Sequence, residues 1–534
     1  DEVRPIWLAV DDEGRQPIFP RCPMCQPPGS RESSRISDFR TKGEQAFTAL
    51  VETQFSEQPP QKKDKTLPNR GRKVLVFSDG RQKAARLAPA LEYSHSRDLF
   101  RQVVALTSFE LENYPDFRGL HNFYPAVVWL CNERGIDLFP GADEREFHNH
   151  QNLVKNKVEG GSNLSDIIQM SYLGNFPATL SFSKQLFKEV TDKYYSLTAL
   201  ALAITRASDP LEKEILQTFP KIGLDDNLIL IIVRNWIRQK LEDRCFLPPG
   251  ADIINLAEGW YRPKGLDLNR PTSVFSESFS DYLNRILNNE QTVANLEEWF
   301  RDTLVRRTSL FNLTNDLYFL QPLGLCIELK LKDDWFRCQD CGTIYLEHIQ
   351  SLCPSCLGEL VPAEEEYLES RTGFYRDQVM NAFDPQKLEP FGIATAEHSA
   401  QLNARDDIEA FNRAEEYELR FQDIHLGGKP SIDVLSCTTT MEVGIDIGTL
   451  SGVALRNVPP HVANYQQRSG RAGRRGRSTA SVLTFAHGSS HDSFYYQNPE
   501  KIITGEVLVP IVYIENQLIL SRHICAYLIQ RFFH

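Results

Sequence analysis

The sequence predicts an α/β protein in which one open parallel sheet is interrupted by a long, mainly helical insertion. Three observations carry that reading. The first is KVLVFSDGRQKAARLAPALE, from Lys73: a run apolar on both faces, a turn at Ser78, Asp79 and Gly80, then a helix with Ala84, Ala85, Leu87 and Leu91 as its apolar positions. A doubly apolar strand followed by a helix is the sequence form of a parallel β–α unit. The second is the return of that rhythm near 390, where FGIATAEH, IDVLSC, GVALRN and SVLTF supply four more short apolar strands, with a helix expected near 403–420. Five strands suit one open sheet covered by helices. The third is the intervening stretch, where amphipathic segments such as KEILQTFPK, NLILIIVRNWIRQKLED and VANLEEWFRDTLVRR predict helices.

The plan that follows has six parts. Residues 1–71 form an upstream region with a C-x2-C pair, and 52–72, polar with Pro and Lys, read as an exposed linker; 72–92 open the sheet domain. A mainly helical insertion covers 93–335 and a cysteine-rich unit 336–358; the sheet domain resumes over 359–505, and a helical region begins at 506–534. The chain opens within a strand-rich segment and closes within the apolar run RHICAYLIQRFFH, so more protein on either side, or a partner chain, is expected.

Composition narrows the class. At 534 residues, with 41% hydrophobic and 24% charged residues, the chain has the make-up of a soluble protein of about three domains. A net charge of −12 excludes a wholesale basic coat, so any nucleic-acid site must be a local patch. The start DEVRPIWLAV lacks the features of a signal peptide, and the apolar runs LTALALAI and LILIIV are too short to span a bilayer, so no membrane partner is expected. Of eleven cysteines, four form two C-x2-C pairs in one segment, which without an export signal reads as metal chemistry in a reducing, cytoplasmic compartment. Cys131, Cys245, Cys326, Cys437 and Cys525 read as free buried thiols.

The most informative stretch is Asn464-Tyr-Gln-Gln-Arg-Ser-Gly-Arg-Ala-Gly-Arg-Arg-Gly-Arg477, with five arginines between 468 and 477 and glycines at 470, 473 and 476. Glycines there let backbone approach a ligand closely, and arginine presents a charged planar fork to phosphate oxygens. The order Q-x-x-G-R-x-G-R resembles motif VI of superfamily 2 helicases. Thr438-Thr-Thr-Met-Glu-Val-Gly-Ile-Asp-Ile447 resembles motif V of the same family, VLVFSDGRQKAARLA at 74–88 its motif IV, and Glu397–Arg413 the segment between them. The wording is most similar to large bacterial helicases with metal-binding modules, the MrfA/YprA-like group and the helicases of anti-phage systems such as DISARM and Druantia. It covers 72–92 and 390–505 well and the insertion loosely.

That resemblance implies a RecA-like domain, the second of two lobes that close on ATP and Mg2+. By it, Arg471 and Arg474 reach across the cleft to the γ-phosphate, one as the arginine finger, and Gln467 orients the site. Gly444, Asp446, Gly470 and Gly473 belong to the nucleotide-facing loops. Ser78, Arg81, Thr438 and Thr439 are candidates for the nucleic-acid backbone, where hydroxyls and amides bond phosphates without reading bases. DNA is the implied track, with RNA open, and defence-system subunits are possible partners.

What is missing shapes the expectation further. No G-x-x-x-x-G-K-[ST] occurs; the only Gly-Lys pair, Gly428-Lys429, precedes Pro430, and the nearest acidic string, Asp143-Glu-Arg-Glu146, follows a Pro-Gly turn. Without the phosphate-holding lysine and the Mg2+-holding carboxylates, the chain is expected to need an ATP-binding lobe located upstream or on another chain.

Cys338-x2-Cys341-x11-Cys353-x2-Cys356 has the pattern of a tetrathiolate zinc ribbon, whose closed S4 shell is structural and leaves no open position for catalysis. His348 reads as a bystander, and Cys22 and Cys25 as either half of a second Zn2+ site or loop thiols. Glu328-x-Lys330 has the tail of a nuclease-like pattern, and His487, His491 and Asp492 of HGSSHD admit either metal chemistry or a structural turn. Two other classes stay open beside the motor: a non-catalytic nucleic-acid-binding scaffold, and a nuclease built on the insertion.

Overall fold

Strands buried on both faces are apolar along their whole length, and that is how the central segments of this chain behave. The structure is a computed structural model describing residues 45–59, 68–139, 145–220, 223–257, 262–270, 274–387, 389–398, 413–424, 426, 430–438, 441–442, 447–448, 450–473, 480–507 and 516–533. The five expected strands are present: β1 (Val74–Phe77), β2 (Thr395–His398), β3 (Val434–Cys437), β4 (Gly452–Leu455) and β5 (Ser481–Thr484). They form one sheet in the order β5-β4-β1-β3-β2. Strands β1, β3 and β4 are buried throughout, whereas β5 begins with exposed Ser481 and Val482, as suits an edge.

Register fixes where the loops emerge. β1 runs parallel to β3 with Phe77 opposite Cys437, and parallel to β4 with Phe77 opposite Leu455. The carboxyl ends of the three central strands are therefore level, so the turns after Phe77, Cys437 and Leu455 leave side by side. In open parallel sheets that edge is where ligands bind.

Helix α1 (Gln45–Ser56) corrects the expectation of an exposed linker over 52–72 for the first residues of that stretch, of which 60–67 lie outside the described residues. Val51 and Phe55, four residues apart on one face, are fully buried. The Gln54 side chain donates to the Val453 carbonyl at 3.1 Å. Beyond the helix, Gln58 donates to the Lys73 carbonyl at 3.0 Å and accepts from the Lys73 amide at 3.2 Å and the Ser451 hydroxyl at 2.6 Å. The segment is thus laced to the amino ends of β1 and β4.

The chain divides into two units. One comprises mainly Pro89–Thr395, the other Ala49–Ala88, Ala396–Leu426 and Ile432–His534. The first division falls within helix α2 (Arg81–Leu111), at Pro89, which lacks the amide hydrogen a helix interior uses. The second falls at Thr395, not at 359. Helix Glu365–Ala382 goes with the insertion because Val379 and Ala382 are buried in its core. That core packs helices such as Leu180–Thr191, Asp226–Glu242 and Glu277–Leu287 around the fully buried Trp236, whose indole donates to the Val274 carbonyl at 2.8 Å. Side chains of Asp225 and Ser276 cap the last two helices by accepting from Leu228 and Phe279 amides. The LTALALAI run ends in strand Ala203–Ala207, antiparallel to Leu325–Leu329. Among the described residues no helix is long and apolar enough to cross a membrane.

A buried cation fastens the sheet unit. Lys73, just before β1, places its ammonium 2.6 Å from an Asp423 oxygen, 2.7 Å from the Ile432 carbonyl and 3.9 Å from Asp433, with its side chain 4% exposed. Asp423 follows helix α3 (Arg413–Phe421). Removing one partner of a buried pair strands the other charge, at a cost of about 3–5 kcal/mol. Lys73→Ala is accordingly expected to lower the unfolding free energy of the sheet unit, read from a denaturant titration, by that amount; an unchanged value would show the pair to be energetically idle.

Candidate functional site

The arginine segment is shaped by helix geometry and by two glycines. Helix α4 (Val462–Ser469) ends at Gly470, whose amide donates to the Gln466 carbonyl at 2.9 Å. A Cβ on Gly470 would lie 2.7 Å from that carbonyl oxygen, closer than real contacts allow. Gly473 has φ +79° and donates to the Leu450 carbonyl at 2.9 Å. Both glycines therefore serve the turn itself, a demand internal to the chain.

Arg468, in the last turn of α4, is the best-held side chain of the segment. Its Nη2 lies 2.6 Å from an Asp79 oxygen and its Nε 2.6 Å from a Glu442 oxygen, with the residue 1% exposed. The guanidinium also lies over the Phe77 ring, 5.5 Å from its centroid. The Asn457 amide donates to the second Asp79 oxygen, and the Asn464 amide to the second Glu442 oxygen at 3.1 Å. The turn after β1, the turn after β3, the end of β4 and helix α4 thus meet in one polar network. The sequence singled out none of these five side chains for this role. The signal lay in the charged residues Asp79, Glu442 and Arg468 inside the motif segments, but their pairing needs the sheet order to be seen.

The expected site residues distribute as follows. Gln467 is exposed on α4, and Arg471 is buried, 4% exposed, with its amide donating to the Arg468 carbonyl at 3.2 Å. The fully buried Cys437 thiol is pushed up by burial, against which the charges of Arg468 and Arg471 act downward. Ser78 and Thr438, expected on the nucleic-acid backbone, are 1% and 6% exposed; the Ser78 amide donates to the Cys437 carbonyl at 2.9 Å. Their hydroxyl-bearing residues are enclosed in this conformation, not laid out on a surface. Arg81 opens α2, with its side chain outside the described residues. Arg474, Gly444, Asp446 and Thr439 also lie outside them.

In the other unit, Cys338, Cys341, Cys353 and Cys356 converge, with all four sulphurs within 4.8 Å of one another. The Cys338–Cys356 and Cys341–Cys353 separations are 3.4 and 3.8 Å. The strands Phe336–Cys338, Ile344–Tyr345 and Leu360–Pro362 form the small antiparallel sheet that carries the two knuckles. Hydrogen bonds from Cys353 and Cys356 hold the Cys341 thiol below its ordinary range, while Cys353 is pushed up by the same contact with Cys341. Four sulphurs this close share too little positive charge, which is the environment a divalent cation relieves, and a tetrathiolate donor set fits Zn2+. The ribbon is tied to helix Asp226–Glu242 by Arg234, 2.5 Å from Glu347, and by Arg238, stacked 4.3 Å over Tyr345. His348 accepts from the Ser351 amide at 3.2 Å and is not among the converging ligands.

Several alternatives resolve as structure. Glu328 pairs with Arg206 and with Lys330 at 2.9 Å, so the nuclease-like carboxylate is already committed. Burial pushes its pKa upward, but Arg206 and Lys330 outweigh that and hold it at about 2. In HGSSHD, Asp492 accepts from the His487 amide at 2.8 Å, Ser489 caps helix Ser490–Gln497, and His491 lies 3.2 Å from the Pro459 carbonyl. That is a capped turn. Cys131, Cys245, Cys326 and Cys437 are buried as expected, but Cys525 is exposed, because the helix Gln517–Phe533 that bears it has no buried residue. Cys22 and Cys25 lie outside the described residues.

With the geometry in place, comparison with known proteins shows what it resembles. Residues 376–476 match the model of the helicase conserved C-terminal domain. The matched residues span the arginine segment, the turn after β3 and strands β2, β3 and β4, and the five-stranded parallel sheet to which these strands belong is RecA-like. The chain is 35% identical over 541 residues to Druantia protein DruE of Escherichia coli strain UMEA 4076-1, covering 98% of this chain and 28% of that protein. It is 37% identical over 94 residues to ATP-dependent helicase HRQ1 of Saccharomyces cerevisiae, covering 17% of this chain and 9% of the other. The chain thus spans only a small part of these relatives. The crystal structure of DUF1998 helicase MrfA bound to DNA and AMPPNP overlaps 30% of this chain and 20% of its own, at 20% identity and a TM-score of 0.20, too slight an overlap to bear on geometry.

Two measurements follow from these sites. Metal analysis of the purified chain is expected to find zinc, and Cys353→Ser to contain one ion fewer per chain; equal contents would remove the ribbon assignment. Glu328, held at about 2 against an ordinary 4.5, favours the folded state above pH 4.5, and this contribution is lost as pH falls toward 2. The stability difference between wild type and Glu328→Gln should therefore be full near neutrality and shrink below pH 4.5, whereas a pH-independent difference would contradict the pairing.

Proposed function

We propose that this chain supplies the arginine-bearing RecA-like lobe of an ATP-driven helicase or translocase acting on nucleic acid, with DNA as its track. The observation that carries the proposal is the placement of QRSGRAGR. Its helix follows the carboxyl end of β4 and carries Arg468 onto the turns after β1 and β3, the edge at which parallel sheets bind ligands, while its turn at Gly473 lies against Leu450 ahead of β4, all inside a region that matches the helicase C-terminal domain.

In this reading ATP is held between this lobe and a second one that contributes the phosphate-binding lysine and the Mg2+-holding carboxylates, for which the sequence has no pattern of its own. Arg474 faces the γ-phosphate, and Arg471, enclosed here, joins it only after a local opening; a guanidinium there spreads the charge that develops on the transferred phosphoryl group. Gln467, exposed on α4, orients the attacking water or the phosphate, and Gly444 and Asp446 form the nucleotide-facing turn after β3. Thr439 and Arg81 contact the track; Ser78 and Thr438, enclosed here, join them only through their backbone or after a local opening. The ribbon binds Zn2+ as a structural clamp within the insertion. The likeness to a Druantia protein supports a setting in antiviral defence, with other subunits as partners and the cytoplasm as the compartment.

The test is ATP hydrolysis and strand separation by the complete assembly. Arg474→Ala is expected to lower DNA-stimulated hydrolysis by roughly 10³–10⁵-fold, with an unchanged melting profile. Equal rates in wild type and variant would overturn the motor reading in favour of a non-catalytic nucleic-acid-binding scaffold.

A further inference from the structure

Arg468 stands among the arginines of the segment but is enclosed and paired within the chain. Two of its nitrogens are committed to carboxylates at 2.6 Å, an aromatic ring lies under its plane, and it is 1% exposed. Its two carboxylates belong to different segments: Asp79 follows β1, and Glu442 lies in the turn after β3. Each carboxylate has its outer oxygen held by a neutral amide, Asn457 at the end of β4 and Asn464 on α4. One guanidinium thus offsets two negative charges and cross-links the exits of all three central strands.

We infer that Arg468 is a positioning residue that couples the turns expected on the nucleic acid to the arginine-bearing turn that faces ATP. This rests on the proposed function and specifies how one lobe transmits strain between its two ligands. Without Arg468 the Asp79 and Glu442 carboxylates confront each other with only amide donors, and like charges at close range disfavour the shared arrangement. The turns after β1 and β3 then part, and α4 no longer follows them. Lysine keeps the charge but cannot bridge two carboxylates through a planar fork.

The experiment compares Arg468→Ala, Arg468→Lys, the pair Asp79→Asn with Glu442→Gln, and the triple combination in the complete assembly. Readouts are kcat and KM for ATP with and without DNA. Arg468→Ala should lower the DNA-stimulated kcat on the order of 10²-fold, the cost of misplaced catalytic groups, and collapse the ratio of stimulated to basal rate, with KM unchanged. Arg468→Lys should fall between. In the charge-neutralised pair, adding Arg468→Ala should cost far less, because the repulsion it unmasks is gone. An equal loss in both backgrounds, or a raised KM at constant kcat, would mean that Arg468 binds nucleotide directly and would overturn the inference, as would a fully active Arg468→Ala.

Amide hydrogen exchange separates this from failure of the motor reading. Arg468→Ala should speed exchange in 78–80 and 441–442 together, a result that needs no ATP turnover. Faster exchange confined to 462–469 would remove the coupling role even in an active motor. An assembly that never hydrolyses ATP, yet shows the linked exchange, would instead overturn the motor reading and leave the cross-link standing.

Discussion

The architecture depends on one long-range pairing: β1 lies between β3 and β4, although the insertion separates them in the chain. Closing so long a connection costs little more than closing a short one, because the entropic term grows only with the logarithm of loop length. The insertion also has its own core, so its ends are presented by a folded body and not by a wandering coil. Once β1 is seated, its register with both neighbours levels the strand exits, and the polar network around Arg468 can form only there.

Much of this was legible in the residues. Strands buried on both faces announce themselves as unbroken apolar runs, and all five expected segments contribute a strand. The four cysteines converge as their spacing implied, because C-x2-C pairs dictate knuckle geometry almost independently of context. Helices of the insertion follow their apolar periodicity and their caps.

What was not legible has physical reasons. Polarity at 52–72 suggested solvent, yet Gln54 and Gln58 use that polarity to bond strand backbones, so composition misjudged a helix whose apolar face is only one residue per turn wide. The resumption of the sheet unit was placed too early because a helix looks the same whichever core its apolar face joins, and Val379 decides that only once packed. Glycines 470 and 473 also meet a demand of the turn itself, a close carbonyl oxygen and a left-handed backbone, which their spacing alone does not reveal. The Asp79–Arg468–Glu442 network is invisible in one dimension, since its members are linked by sheet order alone.

The Gln58 amide has a practical bearing on how this lobe can be handled. It fills hydrogen-bonding positions on both β1 and the approach to β4, and it sits well before the first residue a motif-based boundary would keep. A fragment cut at the start of β1 would take this partner from Ser451 and would bare the apolar surface that Val51 and Phe55 cover, an exposed patch of the kind that invites self-association. Recombinant versions of the lobe therefore have to include the helix that begins at Gln45.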